Sequence, residues 1–250
     1  MERDSAAEYF FSLADEAASS ILRDPLREIV PVSRWKIMDQ EEVELDDRLK
    51  QALSGTQKEP EKASKPQRPS SLSFLAVSEM LSDCHECEAW FNRTESITAG
   101  QGASKPLFVF VFDRVLPDGT YMTDQEDVFF SKWLAALHLD RAKECYLTSV
   151  IKCPGSGDFI YRGCEDILVR QLESLKPSVV VMLGSAGCFI STGDGDILAA
   201  RGRVLDYHGF RTVCSFSPSQ VLADYNALRR PVWEDLKLAA SAAGIAGRTS

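Results

Sequence analysis

Four cysteines of the chain stand in a pattern that suits a metal centre. Cys84 and Cys87 form a C-x-x-C pair, while Cys153 and Cys164 bracket one loop farther along the chain. Thiolates are soft, anionic ligands that suit zinc and iron–sulfur clusters. A C-x-x-C pair alone is weak evidence, but two more cysteines around a single loop strengthen it. We therefore predict that these four cysteines hold one metal centre.

The remaining three cysteines have a different setting. Cys145 and Cys214 lie in apolar segments of strand length, and Cys188 lies near the start of an apolar helical segment. Cysteines in such surroundings behave as small hydrophobic residues, so we expect all three in the core. His85 lies inside the C-x-x-C pair, where it would be awkward as a ligand beside both thiolates. The residues themselves leave two metals open, an iron–sulfur cluster and a structural zinc ion.

The cellular setting bears on the interpretation of these cysteines. No apolar run approaches the ~20 residues needed to cross a bilayer. The opening MERDSAAEYF lacks the basic start and apolar block that are typical of a secretion signal. We therefore expect a cytoplasmic protein without a membrane partner. In that reducing compartment, closely spaced cysteines favour metal or redox roles over disulfides.

The overall charge limits how the chain can bind nucleic acid. Its 250 residues include 28 basic and 37 acidic side chains, which gives a net charge of −9. Such a chain does not bind nucleic acid through bulk charge. DNA binding would need a local basic patch and would depend steeply on salt concentration.

Composition divides the chain into three parts. Residues 1–53 are expected to form an N-terminal helical extension, because 5–23 place apolar side chains at helical spacing after a Ser5–Glu8 capping box. Residues 54–71 carry prolines and charges without a large apolar side chain, which predicts a disordered linker. Residues 72–250 form the main domain. The N-terminal helix either packs on that domain or binds a protein partner.

The main domain alternates apolar runs of strand length with helical segments. Continuous apolar runs fit strands that are buried on both faces. Their alternation with helices predicts an α/β fold, in which helices cover a mainly parallel sheet in a three-layer α/β/α arrangement. Sites in such sheets lie at the carboxyl ends of the strands. The predicted strands are 106–112, 145–151, 177–183 and 211–216, and the predicted helices are 72–81, 127–137, 164–175, 184–190 and 231–243.

The order of these features over residues 72–240 resembles family 4 uracil-DNA glycosylases, the iron–sulfur branch of that superfamily. The C-x-x-C pair precedes the first strand of the domain, and 145–153 is similar to the family stretch that ends in Lys and Cys. Cys164 fits the fourth cysteine of the family pattern. Three further segments carry the resemblance, namely 176–184 with Ala186, Arg201 with Gly202, and 233–236.

The resemblance implies a uracil-DNA glycosylase-like domain of the α/β/α type. Such enzymes flip a damaged base out of the DNA stack and hydrolyse its bond to the sugar in base excision repair. Uracil-containing DNA is then the expected partner. The resemblance also favours a [4Fe–4S] cluster on the four cysteines, with structural zinc as the alternative.

The sequence departs from the family at four catalytic places. Asp113 stands where the family has a glutamate after the first strand, and Ser149 stands where it has an asparagine. Tyr121 lies near the position of the family Pro-Phe pair, where an aromatic ring stacks on uracil. Ser217 replaces the histidine of a His-Pro pair. Loss of one oriented donor of this kind can cost roughly 10²–10³ in rate.

Two functions follow from these residues. In an active glycosylase, Asp113 orients water or stabilises the sugar cation. Ser149 and Ser217 contact uracil, while Tyr121 stacks on it. The structural interpretation of the same residues is that Asp113 only ends a strand and Ser217 only caps a turn before Pro218.

The alternative is a catalytically inactive glycosylase fold retained for DNA or protein binding. The four departures and the acidic composition favour it. Arg201, Arg203 and Arg211, near the predicted site face, are candidates for contacts with phosphates, although such charges are usually solvated. A third hypothesis is a metal-bearing α/β domain with a redox or regulatory role, for which the sequence identifies no electron partner.

Overall fold

A computed structural model describes residues 36–38, 79, 81, 84–85, 97, 99–154 and 159–248. For residues 36–38 and 159–163 it describes the backbone. The predicted helix at 5–23 and the predicted linker at 54–71 lie outside the described residues. So does most of the predicted helix at 72–81, of which residues 79 and 81 are helical.

A six-stranded mixed sheet forms the centre of the domain. Its strand order is β2-β4-β3-β6-β8-β7, with four parallel strands in the middle and an antiparallel strand at each edge. Helices on both faces complete the predicted α/β fold. The strands in chain order are β1 Lys36–Met38, β2 Gln101–Gly102, β3 Phe108–Arg114, β4 Cys145–Ile151, β5 Phe159–Tyr161, β6 Val179–Leu183, β7 Leu205–Tyr207 and β8 Phe210–Ser215.

A second, two-stranded sheet joins the N-terminal region to the main domain. The backbone of β1 pairs in parallel with that of β5, and Lys36 lies opposite Phe159. The predicted N-terminal extension over 1–53 thus contains a strand at 36–38, outside its predicted helix at 5–23. A strand needs a partner for its backbone groups, and β5, between Cys153 and Cys164, provides one.

Several helices begin at side chains that cap them. Thr123 and Glu126 form a capping box at the start of α1, and Asp140 caps α2 through the amides of Ala142 and Lys143. These caps satisfy amides that have no partner within the helix. The helices are α1 Asp124–Ala136, α2 Arg141–Glu144, α3 Arg162–Leu175, α4 Ser185–Thr192, α5 Ile197–Ala200, α6 Pro218–Ala223 and α7 Tyr225–Ala242, followed by a 3₁₀ turn at Ala246–Arg248.

The last helix, α7, is longer than predicted. It was expected to begin at Pro231, but it begins at Tyr225 and continues through that proline. Asp224 caps it by accepting from the amide of Ala227. Proline inside a helix removes one backbone hydrogen bond. Burial of Tyr225 and Trp233 against the rest of the domain offsets that loss.

The core lies on both faces of the parallel strands. Every residue of β4 and β6 is buried, and the predicted strand at 145–151 has the observed bounds of β4. Cys145, Cys188 and Cys214 are each fully buried, which confirms their predicted place in the core. Burial also raises the pKa of Cys145 to about 12, so this thiol stays protonated.

The strand order predicts a ligand-binding crevice at one edge of the sheet. After β3, the chain adds β4 on one side and later β6 on the other side. Adjacent connections that leave in opposite directions create a crevice beyond the carboxyl ends of the two strands, where open α/β sheets bind ligands. Here that crevice lies between the ends of β3 and β6.

In the described part of the chain, no helix has the length and apolar character of a membrane span.

Candidate active site and metal centre

Asp113 lies near the carboxyl end of β3, at the edge of this crevice. Its Oδ1 accepts a hydrogen bond from the backbone amide of Ala186 at 2.8 Å. The amides of Ser185 and Gly187 also act on the carboxylate. All three amides belong to the first turn of α4, where backbone N–H groups lack partners within the helix. The Asp113 carboxylate is therefore bound by the N-terminus of a helix that starts over 70 residues later.

Gly184 makes this close approach possible. It is the N-cap residue of α4, with φ +112° and no side-chain hydrogen bond to the helix. A Cβ at this position would lie 2.5 Å from Cγ of Asp113, far inside van der Waals contact. Asp113 thus takes the place that a capping side chain usually fills. Only glycine combines the positive φ with space for the carboxylate.

Burial raises the pKa of Asp113 from its ordinary value of 3.8 to about 6. The three helix amides and the Arg114 guanidinium oppose that rise, because they favour the charged form. At neutral pH the side chain is therefore mostly ionised but can take up a proton within about one pH unit. A carboxylate with these properties suits the orientation of a water molecule or the stabilisation of a cation.

Ser149 and Tyr121 lie deeper in the domain than the proposed uracil contacts require. Ser149 is fully buried, and its hydroxyl donates to the carbonyl of Ile151 at 2.9 Å. The Tyr121 ring is 7% exposed and stacks on Phe112, with centroids 5.8 Å apart and an interplanar angle of 18°. The structure therefore places both residues beside β3, close to the Asp113 end of the sheet.

Ser217 follows β8 and begins α6. Its Oγ accepts from the Gln220 amide at 3.3 Å, and the Gln220 side chain accepts from the Ser217 amide at 2.9 Å. The hydroxyl also lies 2.8 Å from Oγ of Ser219. This capping box gives Ser217 a structural role at the start of α6. The side chain remains partly exposed, at the same edge of the sheet as Asp113.

Three of the four predicted metal ligands lie in the described chain, and Cys87 lies outside it. Cys153 is buried in a small apolar cluster with Leu81 and Ile97, against which Cys84 packs. Cys164, also buried, stands on α3 one turn before Ile167, another member of that cluster. The structure therefore brings the three described cysteines to one region, outside the main core.

The arrangement of these cysteines shows no single-ion site on its own. Among the described residues, no group of three or more His, Cys, Asp and Glu side chains is placed to hold one metal ion. The side chains that remain, the half-buried Cys84 and the buried Cys153 and Cys164, have the soft donor atoms that zinc and iron–sulfur clusters take. The sequence spacing of these cysteines, a C-x-x-C pair and two cysteines on either side of one loop, suits the same kind of metal group.

Lys152 is a residue whose importance the sequence did not reveal. It is fully buried after β4, and its Nζ donates to Thr148 Oγ1 and Gln171 Oε1, both at 2.7 Å. Burial lowers the pKa of Lys152 to about 7, and the charge of Cys164 opposes that fall. The sequence feature that could have indicated a role for Lys152 is its position, directly after a buried strand and directly before Cys153. Its partners could not be read from that position.

The arginines that were candidates for phosphate contacts have other partners. Arg201 is 17% exposed and bonds Asp235 at 3.0 Å and the carbonyl of Pro231 at 2.6 Å. Arg211 lies at the start of β8, away from the carboxyl edge, and donates to the Ala242 carbonyl. Arg211 therefore lies away from the site face, contrary to the expectation, whereas Asp235, the partner of Arg201, also accepts from Ser215 at the carboxyl end of β8. Arg203 is exposed.

Comparisons with known proteins agree with the observed fold. The family model described as the uracil DNA glycosylase superfamily matches residues 112–237, a span that includes Asp113 and Ser217. A type-4 uracil-DNA glycosylase of Thermotoga maritima is 28% identical over 178 residues, which cover 66% of this chain and 92% of that protein. A type-4 uracil-DNA glycosylase of Archaeoglobus fulgidus is 32% identical over 117 residues, which cover 43% of this chain and 57% of that protein.

Proposed function

The chain belongs to the uracil-DNA glycosylase superfamily, and we propose that it is a member of the family 4 branch and removes uracil from DNA. The reaction is hydrolysis of the bond between the deaminated base and its sugar, the first step of base excision repair. Uracil-containing DNA is then the partner. With a net charge of −9, the protein needs a local surface to hold the phosphates.

The observation that carries this proposal is the position of the Asp113 carboxylate. It lies at the topological switch of the sheet, where open α/β sheets bind ligands, and the α4 amides hold it in one orientation. Cleavage of the bond between the base and the sugar leaves positive charge on the sugar, and a water molecule must then attack the sugar. An ionised Asp113 would stabilise that charge or orient that water.

The proposed contacts to uracil come from three side chains. Ser217, partly exposed beside the crevice, would donate to the leaving uracil. Tyr121 would stack on the base, and Ser149 would contact its edge. Because Ser149 is buried, its contact would require a shift of the residues that cover it.

A second candidate function is binding without cleavage, and a specific observation favours it. Each proposed catalytic or uracil-contacting side chain already has a partner inside the protein. Asp113 receives α4 amides, Ser149 donates to Ile151, Tyr121 stacks on Phe112, and Ser217 closes a capping box. All four would then have structural roles, and the fold would serve DNA or protein recognition.

The proposed cofactor is a [4Fe–4S] cluster held by the thiolates of Cys84, Cys87, Cys153 and Cys164. The packing of Cys84 against the apolar cluster that contains Cys153 and the similarity to type-4 uracil-DNA glycosylases support it. Such a group would cross-link α3, the end of β4 and the segment around Cys84, and would contribute to folding free energy. A structural zinc ion on the same thiolates is the alternative.

A glycosylase assay separates the two functions. The full chain, purified without oxygen, is incubated at enzyme excess with single- and double-stranded DNA that contains uracil, and released uracil is measured. We expect release by the wild type and a loss of about 10²–10³ in rate for Asp113→Asn. The control, Asp118→Asn, removes an exposed carboxylate that bonds Thr120 and should leave the rate unchanged.

Two results would change the proposed function. Wild-type protein that contains its metal and binds DNA, but releases no uracil, would leave the binding function. An unchanged rate in Asp113→Asn would remove Asp113 from the mechanism. Iron, sulfide and zinc are measured on the same samples, because colourless protein with one zinc ion would replace the cluster by the alternative metal.

A further inference from the structure

The hydrogen-bond acceptors of the buried Lys152 side chain are uncharged. The side chain is 1% exposed, and its two acceptors, Thr148 Oγ1 and Gln171 Oε1, are both neutral. In the described part of the chain, no carboxylate forms an ion pair with Lys152. A buried ammonium with neutral partners alone is costly, because it loses its hydration without gaining an opposite charge.

Two of the predicted metal ligands are neighbours of this ammonium, one through its charge and one in the sequence. Cys164 acts on Lys152 electrostatically, and Cys153 is the next residue in the chain. Cys153 in turn shares an apolar cluster with Cys84. Lys152 therefore lies beside the cysteines that would hold the metal centre, in surroundings where charges are weakly screened.

The two acceptors fix the position of the ammonium. Gln171, on α3, donates through its amide to the carbonyl of Ala99, and Thr148 Oγ1 lies 3.1 Å from the same carbonyl. The network thus joins β4, α3 and the segment that precedes β2. Because all three side chains are fully or almost fully buried, the ammonium cannot swing into solvent without opening the structure.

We propose that Lys152 is the internal counter-cation of the metal centre. It acts as a positioning residue that holds a positive charge beside the thiolates of Cys153 and Cys164. A fixed cation stabilises the more negative, reduced state of a cluster and so raises its reduction potential. This inference rests on the proposed [4Fe–4S] cluster, but it does not depend on glycosylase activity.

The test compares neutral substitutions of Lys152 in the full chain, purified without oxygen. Lys152→Met removes charge and donors, whereas Lys152→Gln keeps a donor for Thr148. Iron and sulfide are measured, and the midpoint potential is determined by a redox titration followed by visible absorption. We expect both variants to have a more negative potential, with at least a tenfold lower reduction equilibrium constant, which equals 59 mV for one electron.

Two control variants separate charge from structure. Lys152→Arg keeps the charge and should hold the potential within that tenfold range. Lys143→Met removes an exposed lysine paired with Asp140 and should not change the potential. If the Met and Gln variants hold no cluster while Lys152→Arg does, the requirement for a positive charge is supported.

Two outcomes would overturn the role of Lys152 alone. They are an unchanged potential in a neutral variant that holds its cluster, and cluster loss in all three Lys152 variants, which would indicate packing instead of charge. Wild-type protein without iron and sulfide would overturn the cluster and this inference together. Absence of uracil release would leave the redox test unaffected, so the failure of each proposal can be recognised separately.

Discussion

Asp113 and Lys152 are two poorly solvated charged groups near the same edge of the sheet. They differ in the partners that compensate their charges. The Asp113 carboxylate receives backbone amides from the first turn of α4. The Lys152 ammonium has two neutral oxygen acceptors. The described chain therefore supplies the compensation that the carboxylate needs, whereas the ammonium lies next to Cys153, one of the proposed metal ligands. The Asp113 carboxylate has its charge compensated within the chain, and we propose that a bound metal centre compensates the charge of Lys152.

The difference predicts which region depends on the cofactor. Removal of the metal should loosen the segment around Cys84, the loop after Cys153 and the start of α3. The contacts of Asp113 with α4 lie within the main core and should persist. The following changes test that division, beginning with the one for which we expect the largest effect.

Loss of a thiolate ligand is expected to have the largest effect. In Cys153→Ala, the metal content should fall to background and the thermal unfolding midpoint should drop, because a bound structural metal contributes directly to folding free energy. Metal analysis and thermal unfolding of the same sample measure both effects. Cys145→Ala is the matched control, since it removes a buried core thiol and should keep the metal. Full metal content in Cys153→Ala would remove Cys153 from the ligand set.

Gly184→Ala tests the Asp113 side of the comparison. The new methyl group would collide with the carboxylate at a positive φ, so we expect about 2–5 kcal/mol of destabilisation from strain and overpacking. Urea unfolding measures it. Gly193→Ala is the control, because Gly193 also has a positive φ but open space around an added Cβ. It should cost about 1–2 kcal/mol. Equal losses in the two variants would contradict the close packing of Gly184 on Asp113.

The pH dependence of stability tests the raised pKa of Asp113. A folded-state pKa of about 6, above the ordinary 3.8, means that the folded protein binds this proton more tightly than the unfolded chain. Relative to Asp113→Asn, the wild type should therefore lose stability as pH rises from about 4 to about 6, and the difference should stay constant above that range. Solvent screening limits the change to about 1–2 kcal/mol. Parallel stability profiles would show that Asp113 has an ordinary pKa.

Ser217→Ala is expected to have the smallest effect on stability and to sharpen the function. Loss of the α6 cap should cost about 0.5–2 kcal/mol. Thr123→Ala removes the equivalent capping-box hydroxyl of α1 and should cost a similar amount. If Ser217 also contacts uracil, only its variant should lose glycosylase rate. Equal rates in the two variants, compared after correction for folded fraction, would leave Ser217 as a cap.

Much of the fold was predictable because its signals are local. A run such as 145–151 is apolar throughout, and only a strand buried on both faces accommodates it in an α/β domain. The core positions of Cys145 and Cys214 followed from the same runs. The start of α7 was not predictable from Pro231, because the Asp224 cap and the burial of Tyr225 outweigh the lost hydrogen bond. The predicted extension at 1–53 likewise missed β1, whose partner β5 lies far along the chain.

The candidate site divides in the same way. The rule that sites lie at the carboxyl ends of parallel strands led to Asp113 and Ser217, and the structure places both at that edge. Their catalytic roles remain predictions. The rule could not identify the partners that hold these side chains. It also could not distinguish Arg201, which pairs with Asp235, from an arginine available to DNA.

The sequence by itself determined the type of sheet, the buried runs, the three core cysteines and the pattern of four cysteines that predicts a metal centre. These depend on the periodicity and spacing of neighbouring residues, which the chain displays directly. Only the tertiary structure decided that the amides of α4 hold the Asp113 carboxylate and that Thr148 and Gln171 hold the Lys152 ammonium. Most of these partners lie tens of residues apart, and packing of the helices on the sheet brings them together. That packing made one charge complete within the protein and placed the other beside the cysteines.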